Sequence, residues 1–151
     1  MKITDNTLFL EDIPVETLMQ EYGSPLYVYE ESVLRSQFRQ LSSGFPEGLL
    51  EIHYAMKANS NPSLLKILCE EGSSIDAVSE FEVRLALESG FKPQQIIFTG
   101  NNNSLAEIEF CVGNDVPVNL GSLALLEKYG ERYPHTKVSV RINPGIGSGH
   151  H

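Results

Sequence analysis

From residue 50 onward, the sequence alternates between short apolar stretches and amphipathic stretches that have helical spacing. The stretches with strand character cover residues 50–56, 74–78, 95–98, 117–120 and 137–142. Their centres lie roughly 21 residues apart, about the length of one strand, one helix and two short loops. This alternation predicts a parallel sheet whose strands are joined by right-handed helical crossovers.

Capping signals mark the ends of the intervening helices. Ser79 with Glu82, and Ser104 with Glu107, have the spacing of a capping box and predict helix starts. Three glycines are predicted to end helices, the last two of them in the left-handed conformation: Gly72, Gly90 and Gly130.

A doubly wound open sheet and a (β/α)8 barrel both fit this alternation. Nucleotide-binding open sheets usually carry a glycine-rich turn, GxGxxG or GxxxxGK[ST], and the sequence contains neither. Polar residues follow the strands instead: residues 57–59, Asp76, residues 99–103, Asn119, Arg141 and Asn143. Functional residues at the carboxyl ends of successive strands are typical of a TIM-type barrel. We therefore predict an α/β fold of the (β/α)8 TIM type.

Only five of the eight barrel strands can be recognised. A five-stranded arc would leave a sheet edge and part of the core open, so we expect the chain to be the first part of a longer protein. The final residues, 147–151, are interpreted as a native loop near the site. A purification tag that includes His150 and His151 is the alternative.

The first 45 residues do not follow the alternation. A helix over residues 15–22 is predicted to end at Gly23, and residues 25–29 alternate as a strand. A second predicted helix covers residues 32–41. We predict that residues 1–30 contribute to a second β domain and that residues 31–151 begin the barrel.

The charge balance excludes several classes of partner. Twenty acidic and 11 basic residues give a net charge of -9, which disfavours nucleic acids and anionic membranes. No apolar stretch reaches the roughly 20 residues of a membrane-spanning helix, and no signal peptide opens the chain, so a cytoplasmic location is expected. Cys69 and Cys111 have no ligand spacing, so we expect two buried thiols and no metal site.

Lys57 stands at the end of the first predicted barrel strand. A partly desolvated lysine there could form an imine with an aldehyde, whereas a solvated lysine at a strand end is the commoner case. Alternation places His53 on the same side of the strand as Lys57. A satisfied core histidine is the favoured interpretation of His53.

Five blocks of sequence together identify a family. They are residues 25–29 (PLYVY), 54–59 (YAMKAN), 72–79 (GSSIDAVS), 97–101 (IFTGN) and 140–145 (VRINPG). In this order they resemble the pyridoxal-phosphate-dependent decarboxylases that have an alanine-racemase-like barrel. Within that family they are most similar to the diaminopimelate decarboxylases, which release carbon dioxide from meso-2,6-diaminopimelate to make lysine.

The resemblance implies roles for four residues. Lys57 would be catalytic and form the internal Schiff base with pyridoxal 5′-phosphate, and Asp76, Arg141 and Glu82 would help to bind this cofactor. The residue patterns alone also allow a turn aspartate at Asp76, a purely capping role for Glu82 and a structural ion pair for Arg141. The resemblance places the barrel's pyridoxal-phosphate site within residues 31–151.

The implied activity is decarboxylation of an amino-acid substrate, diaminopimelate, in lysine biosynthesis, by a homodimer. Two alternatives stay open: a decarboxylase of another basic amino acid (ornithine, arginine or carboxynorspermidine), and a non-catalytic carrier of pyridoxal phosphate. In the family, the phosphate cradle and the acidic partner of the pyridine nitrogen come from later strands. The isolated segment is therefore expected to be inactive.

Overall fold

The structure, a computed structural model, describes residues 1–145 and 147. The predicted loop around His150 and His151 lies outside the described residues. The chain divides into two units, Met1–Gly44 and Phe45–His151, which are described separately.

The first unit is a small antiparallel sheet with two helices. Its elements are β1 (Lys2–Thr4), β2 (Thr7–Leu10), β3 (Ile13–Pro14), α1 (Val15–Tyr22) and α2 (Glu31–Ser43). Both predicted helices are confirmed, and α2 is longer at each end than the pattern indicated. Gly23 follows α1 with a φ of 81°, a conformation that favours glycine.

The sequence interpretation missed the three short strands of this unit. Asp5 and Asn6 form the two-residue turn between β1 and β2, with φ values of 48° and 63°. Two successive positive φ values fit the type I′ turn that closes tight hairpins. This Asp-Asn pair was the local signal for the hairpin.

The strand predicted at residues 25–29 is wrong. These residues have no regular secondary structure, and Tyr27 is 89% exposed. A strand requires a hydrogen-bonded neighbour, and within the described chain no strand pairs with this segment. Alternating side chains alone were not sufficient to form one.

The described part of the second unit consists of four strand–helix repeats followed by a fifth strand. Its strands are β4 (His53–Ala55), β5 (Ser74–Ala77), β6 (Ile96–Phe98), β7 (Asn119–Leu120) and β8 (Ser139–Val140). Its helices are α3 (Pro62–Glu70), α4 (Glu80–Glu88), α5 (Leu105–Gly113) and α6 (Leu123–Arg132). Two 3₁₀ turns, Met56–Ala58 and Pro93–Gln95, follow β4 and precede β6.

The five strands run parallel and lie side by side in chain order. β4 pairs with β5, β5 with β6, and β7 with β8, while Phe98 and Val118 bridge β6 to β7. A doubly wound sheet reverses its strand order at a switch point, whereas barrel strands follow one another in sequence. The order without reversal is that of a barrel arc.

The core lies between this sheet and its helices. Ile75, Ala77 and Phe98 are fully buried on the strands, as are Leu65 and Val83 on the helices. Burying a valine, leucine, isoleucine or phenylalanine side chain contributes about 1.5–3 kcal/mol, which drives the helices onto the sheet. One face of β5, β6 and β7 is thereby committed to packing, and the other face carries Asp76 and Asn119.

Both predicted helix starts are confirmed, but only one of the two capping boxes is complete. Ser104 Oγ accepts a bond from the Glu107 N–H (3.3 Å), and Glu107 Oε2 accepts one from the Ser104 N–H (2.9 Å). Ser79 Oγ likewise accepts from the Glu82 N–H (3.2 Å). The Glu82 carboxylate, however, binds the Val78 N–H, one residue before the cap, so the reciprocal half of the Ser79 box is wrong.

Gly130 does not end a helix. Gly72 and Gly90 follow α3 and α4, as predicted, and the φ of 103° at Gly90 is the positive value expected there. Gly72 also has a positive φ, 87°, but α6 continues through Gly130 to Arg132. The Tyr129 side chain is buried, and its ring lies 5.2 Å from that of Tyr133. The burial of Tyr129 and its ring contact with Tyr133 therefore override the low helix propensity of Gly130.

The two thiols differ. Cys111 is fully buried in α5, as predicted, whereas Cys69 near the end of α3 is partly exposed, which corrects the prediction that both are buried. Cys69 lies on the flank of the apolar stripe of α3, where Leu64, Leu65 and Leu68 occupy the buried positions.

Candidate active site at the carboxyl ends of the strands

The strand register places the polar residues on one face of the sheet. Asp76 pairs with Ala55 and Ile97, and Asn119 pairs with Ser139. Since Ile75 and Phe98 point into the helix-packed core, Asp76 and Asn119 point the other way. In a closed barrel that face lines the lumen.

Lys57 lies just beyond this register, in the 3₁₀ turn that follows β4. Met56 is buried and Lys57 is exposed, so the two side chains leave the turn on opposite sides. The Tyr54 hydroxyl donates to the Asn59 carbonyl (3.1 Å) across this turn. Of the two alternatives that the sequence left open for Lys57, the described chain shows the solvated lysine, because its side chain is exposed.

Asp76 is a strand residue, so its interpretation as a turn aspartate is wrong. Its Oδ1 atom is buried and has no hydrogen-bond partner among the described residues. Asn119 Oδ1 is also buried and has no hydrogen-bond partner among the described residues. Buried polar atoms are rarely left unpaired, because the lost hydration costs about 1–3 kcal/mol. Two such oxygens on one face indicate a place for a polar ligand or for further polar side chains.

Arg141 follows β8 and extends its ladder. Its backbone N–H donates to the Leu120 carbonyl (2.8 Å), so the ladder between β7 and β8 continues to Arg141. By alternation, the Arg141 side chain then lies on the same face as Ser139 and Asn119. Its Nη1 donates to Asn101 Oδ1 (3.1 Å). This bond gives the guanidinium a partner within the described chain. The partner is a neutral amide, so the described contact is not the alternative structural ion pair.

Glu82 and His53 are engaged elsewhere. Glu82 Oε2 accepts from the Val78 N–H (2.7 Å) and so holds the loop between β5 and α4. His53 begins β4, at the end away from Lys57, and its Nε2 lies 3.2 Å from Glu51 Oε1. These contacts give Glu82 a structural role. His53 has partners, as predicted, but it is exposed, so its interpretation as a core histidine is wrong.

The contact between Asn101 and Arg141 was missed. Residues 101–103 are three successive asparagines, and Asn103 binds the backbone of its own loop by donating to the Gly100 carbonyl (2.8 Å). Asn101 instead reaches a residue 40 positions away. Its only sequence signal was the predicted neighbourhood of the third, fourth and fifth barrel strands.

A cavity of about 180 Å³ opens beside this contact. It lies at the carboxyl ends of β6 and β7 and is lined by Gly100, Asn101, Asn102, Asn103, Gly121, Ser122 and Leu125. The volume of this cavity is below the roughly 300 Å³ at which ligand pockets begin. It extends the polar face that carries Asp76, Asn119 and Arg141.

The donor set on this face suits one kind of ligand. The exposed amine of Lys57 can bind an aldehyde, and the guanidinium of Arg141 can bind an anionic group. The two buried oxygens, Asp76 Oδ1 and Asn119 Oδ1, can accept hydrogen bonds from N–H or O–H groups. The pyridoxal-binding domain model of the pyridoxal-dependent decarboxylases matches residues 31–151. The chain belongs to this family.

Similar proteins of this family are known from sequence and structure. The diaminopimelate decarboxylase of Methanothermobacter thermautotrophicus is 42% identical over 137 residues, which cover 89% of this chain and 32% of that protein. The diaminopimelate decarboxylase of Helicobacter pylori, complexed with L-lysine, superposes with a TM-score of 0.80 at 33% identity, over 87% of this chain and 35% of that one. The lysine/ornithine decarboxylase of Vibrio vulnificus, complexed with putrescine, superposes with a TM-score of 0.77 at 26% identity. The superposition covers 85% of this chain and 35% of that one.

These similarities confirm the predicted family, the α/β barrel class and pyridoxal phosphate as the cofactor of the domain. The chain spans about a third of the length of the curated relatives it matches. The described strands are thus five units of a (β/α)8 barrel. The predicted division at residue 30 stays a prediction.

Proposed function

We propose that the protein decarboxylates meso-2,6-diaminopimelate, giving L-lysine and carbon dioxide, with pyridoxal phosphate held by Lys57. The observation that carries the proposal is the position of Lys57. It leaves the turn after β4 at the carboxyl end of a barrel strand, and the neighbouring strand presents the unpartnered Asp76 Oδ1 on the lumen face. The names of the relatives support the substrate.

Each site residue has a role that follows from its chemistry. When bound, pyridoxal phosphate supplies an aldehyde for amines and a ring that takes up the electron pair left by a departing carboxylate. Lys57 binds through Nζ and, whenever that amine is free, holds a proton there. Asp76 Oδ1 accepts a hydrogen bond from an ammonium or another N–H group on the same face.

Arg141 and Glu82 complete the proposed set. The guanidinium of Arg141 has five N–H donors and a permanent charge, so it binds an oxygen or an anion while one donor is held by Asn101. Glu82 acts through the backbone, because its bond to Val78 N–H holds the loop that follows the strand of Asp76. It is a positioning residue in this proposal.

Chemical trapping tests the role of Lys57. The full-length protein is incubated with pyridoxal phosphate and reduced with borohydride, and its peptides are mapped by mass. We expect the cofactor mass on the peptide that contains Lys57 and its loss in Lys57→Ala. Lys66→Ala, which removes an exposed lysine of α3, serves as the matched control and keeps the mass. A cofactor fixed on any other lysine contradicts the proposal.

A substrate comparison separates the alternatives. Carbon dioxide release is measured from diaminopimelate, lysine, ornithine, arginine and carboxynorspermidine under identical conditions. We expect diaminopimelate to give the highest kcat/KM. A preference for another basic amino acid would favour the function of the Vibrio vulnificus relative, whose name records lysine and ornithine. Cofactor binding without release from any substrate would identify a carrier.

The cellular setting is part of the same proposal. We propose a cytoplasmic homodimer that binds neither nucleic acid nor a membrane surface, which the net charge of -9 supports. Within the described chain no helix is long and apolar enough to cross a membrane. Sedimentation equilibrium of the full-length protein gives the subunit number, and a monomer would contradict the dimer.

The proposed second β domain includes residues 1–30. Its support is the antiparallel sheet of β1, β2 and β3, which lies within residues 2–14. Hydrogen exchange on the full-length protein tests it. If a further strand extends this sheet at β1, the outward-facing amides of β1 should exchange slowly, and fast exchange of these amides contradicts the proposal.

A further inference from the structure

One hydrogen bond joins two loops that β7 separates. Arg141 Nη1, at the end of β8, donates to Asn101 Oδ1, in the loop after β6, at 3.1 Å. Neighbouring strands lie about 4.8 Å apart, so β6 and β8 are separated by roughly 10 Å. The extended side chain of Arg141 covers this separation. It directs the guanidinium sideways across the carboxyl ends of the strands.

Both ends of this bond are anchored. The backbone of Arg141 is fixed by its bond to the Leu120 carbonyl (2.8 Å). On the other side, Asn103 Nδ2 donates to the Gly100 carbonyl (2.8 Å). Gly100 also packs against the loop that follows β5. A Cβ atom at this position would lie 2.9 Å from the Val78 carbonyl oxygen. The amide of Asn101 is therefore presented from a constrained loop.

The chemistry of the acceptor matters as much as its place. A guanidinium loses about 2 kcal/mol of rotamer freedom when it is fixed, so holding it in advance favours a later ligand. An amide oxygen fixes the direction without cancelling the charge, whereas a carboxylate at residue 101 would form an ion pair with Arg141. The guanidinium thus keeps its full charge and its other donors.

We propose that Asn101 is a positioning residue that holds Arg141 in the orientation in which it binds the cofactor. The inference rests on the proposed function, because it assumes that Arg141 contacts pyridoxal phosphate. Asn101 itself acts only through Arg141. Its neighbours in the asparagine run have other roles: Asn103 binds the loop backbone, and Asn102 takes the left-handed conformation with a φ of 60°.

A double-mutant cycle tests this inference. Dissociation constants for pyridoxal 5′-phosphate are measured by equilibrium titration on the full-length protein and on N101A, R141A and N101A/R141A. We expect N101A to weaken binding about fivefold in the wild-type background and less than about 1.5-fold in the R141A background, because residues in contact are not additive. Gln94→Ala removes an exposed amide at the opposite end of β6 and should leave the dissociation constant unchanged.

Thermal unfolding without cofactor checks that each variant folds. If N101A does not fold, Asn101→Ser replaces it, since serine also withdraws the acceptor from the reach of Arg141. An equal loss in both backgrounds would overturn the inference, as would no loss in the wild-type background. A wild-type protein without cofactor affinity overturns the proposed function as well. Unchanged affinity in R141A, with the cofactor still trapped on Lys57, overturns only the roles of Arg141 and Asn101.

Discussion

The two cysteines show how burial controls the chemistry of a single residue. Burial, followed by the nearby charges of Glu80 and Glu107, raises the pKa of the Cys111 thiol to about 12. Burial and the charge of Glu70 raise the pKa of Cys69, which is partly exposed. Since only the thiolate attacks disulfide reagents, both thiols should react slowly at neutral pH, and Cys111 much the more slowly.

Thiol labelling measures this difference. At pH 8 we expect one thiol of the folded chain to react with an aromatic disulfide reagent and the second to react only after unfolding in urea. Cys69→Ser should abolish the first phase, and Cys111→Ser the second. Equal rates for the two thiols in the folded chain would show that α5 does not shield Cys111.

At the scale of elements, the capping box of α5 makes one helix sensitive to acid. The backbone N–H and the hydroxyl of Ser104, in that order, hold the pKa of Glu107 below its ordinary value. A lowered folded pKa stabilises the fold above the unfolded pKa, and this contribution is lost as pH falls through the folded value. We therefore expect Glu107→Gln to cost about 0.5–1 kcal/mol of unfolding free energy at pH 7 and progressively less below pH of about 4.5.

Urea unfolding of the wild type and the variant at several pH values measures this trend. Glu88→Gln provides the control, because Glu88 is exposed at the carboxyl end of α4, where a negative charge has no helix N–H groups to bind. A cost of Glu107→Gln that stayed constant down to pH 3 would show that the charge of Glu107 does not contribute.

The elements also show which signals a sequence contains. The five barrel strands and the box at Ser104 were predictable, because apolar alternation and capping act over a few neighbouring residues. Gly130 was misjudged because the burial of Tyr129, which no local pattern encodes, carries α6 past it. The bond between Asn101 and Arg141 depends on the order of three strands, so only the assembled sheet brings it about.

At the scale of the whole molecule, the sheet of the second unit has two open sides. Among the described strands, β4 pairs only with β5 and β8 only with β7, so each presents unpaired backbone groups. Val140 on β8 is 46% exposed, and Ile142 just beyond it is 83% exposed. Exposed edges with apolar side chains are templates for pairing with another chain. The 151-residue chain should therefore self-associate as its concentration rises.

A charge on the edge strand tests this expectation. Val140→Lys should lower the association constant of the 151-residue chain by roughly tenfold, because a lysine on an edge strand opposes strand addition. Val33→Lys is the matched control: Val33 is also 46% exposed but lies on α2. Sedimentation velocity over a range of concentrations gives the association constant for each chain. Equal weakening by both substitutions would place the association on general surface charge, and no weakening by V140K would exclude the β8 edge.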